Sequence, residues 1–226
     1  MNIEIKHGPG NAAARVSLDA GETFTSEGGA MISMSGDVDI ETTTHKKGQG
    51  SFGKALKRML SGENFFLNHY TAGGGAGEVW LSTTLPGDMM VYELDNENLI
   101  VQGGAFVASA EGVEVNFGWQ GFKSFLSGES AFWLQLSGSG KAVVNSFGAI
   151  YPVEVDGEYI VDTGHIVAFN EALDFSISKA GGSWISSILG GEGLVCRFRG
   201  KGTVWCQSHN PPSFGYKLGP KLKPRS

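Results

Sequence analysis

The sequence predicts an all-β chain of three tandem repeats in a pseudo-threefold arrangement, with short helical turns between hairpins. Three observations predict it. Glycine fills 35 of 226 positions, against roughly 7% in an average chain, and it comes with fourteen Phe, five Trp and five Tyr but only seven Pro. That mixture excludes collagen and a disordered glycine polymer and fits short strands joined by tight turns. Three segments begin alike: FTSEGGAMISMSGDVDIE from Phe24, LIVQGGAFVASAEGVEVN from Leu99 and YIVDTGHIVAFNEALDFS from Tyr159. Within each, apolar residues sit two apart, the period that places side chains on one face of a sheet.

Each unit opens with an apolar lead-in and a small pair: Gly28-Gly29, Gly103-Gly104 or Thr163-Gly164. A strand then alternates through Val38 and Ile40, Val113 and Val115, or Phe175 and Ile177. Next come SFGKALKRML from Ser51, GWQGFKSFL from Gly118 and GSWISSIL from Gly182. Phe52, Leu56 and Met59 recur at three-to-four spacing, as do Phe122 and Phe125, so one helical turn per unit is expected. Glu63, Glu129 and Glu192 follow, 66 and 63 residues apart. Each unit then ends in two apolar arms around glycines at 73–75, 138–140 or 200–202, read as hairpin turns needing positive φ.

A unit this small cannot readily bury its apolar face alone. Neither boundary carries a Pro/Ser linker, so the chain reads as one domain of three repeats, 15–93, 94–155 and 156–210, sharing a core. An N-terminal strand around Ile3–Ile5 is expected to pair with a later one, and 211–226 reads as a basic, flexible tail.

Charge bears on partners. The formal net is −6, yet no acid follows Glu192 while seven basic residues do. The preceding body therefore stands at −13, which repels a phosphate backbone and disfavours nucleic acid as a partner. Lys217, Lys221, Lys223 and Arg225 give the tail a basic handle for anionic lipid or for a neighbouring acidic body. The start MNIEIK has no apolar signal core, and no run of ~18 apolar residues occurs. A cytoplasmic setting, with the membrane met at most peripherally, is the expectation.

Catalytic and metal chemistry finds little footing. Ser137-Gly138-Ser139-Gly140-Lys141-Ala142 imitates a phosphate loop, but Gln135 and Ala142 occupy the places of its first glycine and its hydroxyl. The five histidines are scattered, and no nucleophile elbow occurs. His165 stands where the other units have Ala30 and Ala105, so it is either a ligand or base or a tolerated substitution at a strand start. Cys196 and Cys206 lie symmetrically about residue 201, which would make them cross-strand neighbours in a hairpin. Cys196 aligns with the apolar Leu67 and Trp133, which favours core residues over a redox pair or metal ligands. Glu63, Glu129 and Glu192 either converge near a threefold axis, where they could hold a cation, or terminate equivalent turns. No cofactor or metal is expected. Phe52, Trp119, Phe122, Phe125 and Trp184 either cover the ends of the core or form an apolar interaction patch.

GGAMISMSGDVDIE, LKRMLSGENFF from Leu56, LPGDMMVYEL from Leu85, LIVQGGAFVASAEGVEV, GHIVAFNEALDF from Gly164 and GKGTVWCQS from Gly200 span roughly residues 28–208. As a set they resemble the altered-inheritance-of-mitochondria protein family and its bacterial relatives. The resemblance implies three tandem β-sandwich, jelly-roll-like units similar to the tryptophan-attenuation-protein variant of the double-stranded β-helix. The mitochondrial members look like inner-membrane-associated proteins that support crista organisation, and no targeting presequence is expected for this chain. The resemblance supplies no catalytic residues to carry over. Together these readings predict a non-enzymatic binding or scaffold protein, a homo-oligomer self-associating through its repeat ends, with an unidentified protein partner and a link to membrane organisation. The rival is a small-ligand or metal binder, or an enzyme, with a site between repeats.

Overall fold

The computed structural model describes residues 1–43, 66–117, 133–179 and 194–223; these described residues are 66% strand with one short helix, and their sheets are not closed. The first third contributes β1 (Asn2–Lys6), β2 (Ala13–Leu18), β3 (Thr23–Glu27), β4 (Met31–Met34), β5 (Val38–Thr43), β6 (Leu67–Ala72) and β7 (Gly77–Leu81). The middle contributes β8 (Met89–Gln102), β9 (Phe106–Ala110), β10 (Val113–Phe117) and β11 (Trp133–Asn145). The last contributes β12 (Ile150–Asp162), β13 (Ile166–Asn170), β14 (Asp174–Lys179) and β15 (Leu194–Gln207), followed by helix α1 (Pro211–Leu218).

The named strands pair antiparallel. A four-stranded sheet runs β1-β2-β7-β4, and an eleven-stranded sheet runs β12-β15-β13-β8-β11-β9-β3-β6-β5, with β10 on β11 and β14 on β15. The N-terminal strand pairs with the next one, Ile3 opposite Val16.

The expected hairpins at 138–140 and 200–202 are not there. Strand β11 runs unbroken from Trp133 to Asn145 alongside β8, and β15 runs from Leu194 to Gln207 alongside β12. The 73–75 stretch separates β6 from β7, which lie in different sheets. The glycines act as bends in long paired ribbons instead. Gly157 and Gly200 face each other in register, both at positive φ (108° and 110°). In the β8·β11 ribbon the register shifts between Gly138 and Ser139, where Gly138 (φ 103°) and Asn96 (φ 55°) take left-handed backbone. Composition signals positive φ in either case; a partner strand lying along the whole length turns a would-be hairpin into a bend.

The pairing scheme recurs. Strand β4 meets β7 with Ile32 skipped between Met31 and Ser33, β9 meets β11 with Val107 skipped, and β13 meets β15 with Val167 skipped. Strands β5, β10 and β14 lie on the leading ends of β6, β11 and β15. Two junctions then join successive thirds: Phe24, Thr25 and Ser26 of β3 face Ala110, Ser109 and Ala108 of β9, while Leu99, Ile100 and Val101 of β8 face Asn170, Phe169 and Ala168 of β13.

Among the described residues the core falls into three buried clusters. One gathers Val16, Phe24, Tyr70, Val79 and Leu81, with Phe24 and Tyr70 stacked at 4.6 Å. The second gathers Leu99, Phe106, Leu134, Leu136 and Val144. The third is built on Phe169, whose ring meets Phe198, Phe175 and Trp133 at 5.1, 5.6 and 5.7 Å. Each such fully buried side chain contributes about 1.5–3 kcal/mol.

Candidate functional site

Among the described residues, no group of three or more His, Cys, Asp or Glu is placed to hold a metal ion. Cys196 and Cys206 are not cross-strand neighbours in a hairpin, because β15 runs unbroken through both. Cys196 and Cys206 lie ten positions apart on one strand, up to roughly 33 Å at strand rise, and face different partners, Val161 and Ile177 against Tyr151 and Ile166. Both are free and buried, and burial pushes their thiols up to about 12 and about 11. They are core residues.

His165 closes a 3-10 turn at Thr163–His165, and its Nδ1 donates to the Gln207 carbonyl at 2.7 Å. The Gln207 side chain in turn donates to the Gly164 carbonyl and accepts from the Phe147 N–H. Asp162 accepts from the Gly164 N–H at the head of the same turn. The histidine thus ties the strand start to the end of β15.

Two features escaped the sequence reading. Where β8 meets β13, an open cleft of about 450 Å³ is lined by Glu97, Asn98, Asn170, Glu171, Lys201 and neighbours. Glu171 accepts from Asn98 Nδ2 (2.7 Å) and Gln135 Nε2 (2.8 Å). Tyr92 donates to Glu97 and accepts from Asn170, and its ring meets Trp205 edge-on at 5.1 Å. Burial and the Glu97 carboxylate raise the Tyr92 phenol to about 12. These residues are far apart in sequence, so no local pattern announces them.

The second feature is apolar. Strand β4 is exposed throughout, with Met31, Ile32 and Met34 at 41%, 57% and 40%; on β12, Tyr159 and Ile160 are each 47% exposed. Their counterparts in the other thirds, Phe106, Val107, Leu99 and Ile100, are fully buried. Alignment of the three similar segments therefore predicts burial here, and exposure arises because no described strand lies beyond these two edges.

The residues expected to mediate interaction are only partly placed. Phe52, Trp119, Phe122, Phe125, Trp184 and Arg225, with Glu63, Glu129 and Glu192, lie outside the described residues. Lys221 and Lys223 are exposed beyond α1. That helix begins at an Asn210 cap, whose side chain accepts from the Ser213 N–H. Phe214 packs edge-on against Phe147 at 5.4 Å, so the basic segment starts from an anchored helix. No helix among the described residues is long and apolar enough to cross a membrane.

Comparison with known proteins gives concordant matches. A family model described as mitochondrial biogenesis AIM24 matches residues 3–209. An uncharacterised protein of Streptococcus pyogenes serotype M6 is 30% identical over 210 residues, 90% of this chain and 84% of that protein. The X-ray structure of a Streptococcus pyogenes protein superposes with a TM-score of 0.80 at 28% identity, covering 98% of this chain and 99% of that one.

Proposed function

The chain belongs to the mitochondrial biogenesis AIM24 family, and on that footing we propose that it is a non-enzymatic scaffold of three tandem β-sandwich units that associates with copies of itself. The carrying observation is the pair of exposed apolar edges, Met31–Met34 and Tyr159–Ile160, in positions whose counterparts are buried. An apolar sheet edge without charges is a template for pairing. The recurring skipped residue at 32, 107 and 167 supports the three-unit reading. Closure of those units about a pseudo-threefold axis within one chain would bury β4 and the end of β12, and both are exposed. We place the protein in the cytoplasm, with the basic segment after α1 as its route to an anionic membrane surface.

Native mass spectrometry tests the scaffold reading: an oligomer is expected, and a strict monomer at micromolar concentration refutes it. Flotation with anionic vesicles, with and without residues 211–226, tests the membrane role; equal binding removes the tail from it. The cleft at Asn98, Glu171 and Lys201 favours a second reading, a small polar ligand held between units. A compound stabilising the native protein but not Lys201→Ala would support that reading.

A further inference from the structure

We propose that copies of this chain join head to tail by pairing β4 of one with the C-terminal half of β12 of the next, with Ser33, Met34 and Ser35 facing Val161, Ile160 and Tyr159. The inference rests on the self-association proposed above and names its partner and register. The two internal junctions use one geometry. In the first, residues 24, 25 and 26 face 110, 109 and 108; in the second, 99, 100 and 101 face 170, 169 and 168. Counted from the small pairs Gly28-Gly29, Gly103-Gly104 and Thr163-Gly164, positions 24, 99 and 159 are equivalent, and so are 35, 110 and 170. Each junction joins a lead-in strand of one unit to the strand after the small pair of the next. The first unit keeps one unused strand of the second kind, β4, and the last keeps one unused lead-in, the end of β12. A third junction in the same register pairs them.

Edge chemistry separates these two ends from the others. Among the described residues the strands paired on one side only are β1, β4, β5, β12, β10 and β14, and of these β10 carries Glu114 and β14 carries Asp174 and Lys179. Strand β1 carries Glu4 and Lys6, and β5 carries Asp39 and Glu41, the charges that keep an edge from recruiting another strand. The first half of β12 is guarded likewise by Pro152, Glu154, Asp156 and Glu158. Strand β4 reads MISM, and Tyr159, Ile160 and Val161 carry no charge. A contact between two different edges is heterologous: it leaves a free edge at each end and continues until a ring closes or a filament grows.

Disulfide trapping tests the register. Met34→Cys and Ile160→Cys are made in separate chains, mixed and oxidised with diamide; native Cys196 and Cys206 are buried and do not compete. The expected result is a covalent dimer from the mixture and none from either variant alone. A dimer from Met34→Cys alone would mean like edges meet and overturns the proposal. So would a cross-link confined within single chains of the double variant, because the ends would then close on each other. No cross-link at all also overturns it. Native mass spectrometry of the unmodified protein then separates the two readings: if it remains an oligomer only this junction fails, and if it is a monomer the scaffold reading fails with it. Ile160→Lys, which needs no cross-link, is expected to shift the native assembly towards smaller species, and an unchanged mass distribution counts against the junction.

Discussion

Replacing Glu27 by Gln should stabilise the protein at alkaline pH and leave it nearly unchanged in acid. Glu27 ends β3 opposite Leu67, half-buried, and burial pushes its carboxyl from 4.5 up to about 7. The unfolded chain releases this proton first, so between about pH 4.5 and 7 the native state holds more protons and stability falls as pH rises. Above pH 7 the full penalty is present. At about 1.4 kcal/mol per tenfold in proton affinity, it reaches about 3 kcal/mol as an upper bound, and about 2 kcal/mol once solvent screening of a half-buried group is allowed for. At ~2–4 °C per kcal/mol for a chain of this size, Glu27→Gln should raise Tm by roughly 4–8 °C near pH 8. Near pH 4.5 the difference should shrink to a degree or two. Thermal melts followed by circular dichroism at both pH values decide it. An equal gain at both would mean that packing, not ionisation, is responsible, and would refute the argument.

Other consequences follow from single contacts. Gly138→Ala should be strongly destabilising, because its Cβ would come within 2.3 Å of the Gly112 carbonyl oxygen at a φ of 103°; left-handed backbone alone costs about 1–2 kcal/mol, readable in a urea midpoint. Cys196 and Cys206 should resist alkylation near neutral pH in the native state and react together on unfolding, as intact mass after labelling would record. His165→Ala should lose about 1 kcal/mol from the Gln207 hydrogen bond, measured by urea unfolding, with Phe147 and Gly164 the next neighbours to show shifted amide resonances.

The sequence carries the strands plainly, since a two-residue period is a local signal. It misreads 138–140 and 200–202 because a glycine at positive φ looks the same whether the chain reverses or bends. What decides is β8 or β12 lying along the entire strand, a partner tens of residues away. The cysteine symmetry about residue 201 fails for that one reason. His165 is legible as a unique substitution, while its role as a tie to Gln207 depends on where β15 ends. The cleft around Glu171 draws on β8, β13 and β15 at once, and no window of sequence holds them together. The apolar edges are hidden in another way: Met31 and Ile160 look like core positions because their counterparts are core. Only the sheet order, which leaves β4 and β12 at the ends, exposes them.

The unbroken ribbons also set the order of events at synthesis. Strand β8 is finished at Gln102, while the strand that runs along its whole length begins at Trp133. At about 5–20 residues per second, that edge waits roughly 2–6 s for its partner, and β12 waits a similar time for β15. Through that interval each half-made ribbon presents an unsatisfied backbone to whatever is near, including a neighbouring nascent copy. The ribosome is thus the place where strand exchange between chains competes most directly with correct folding of this protein.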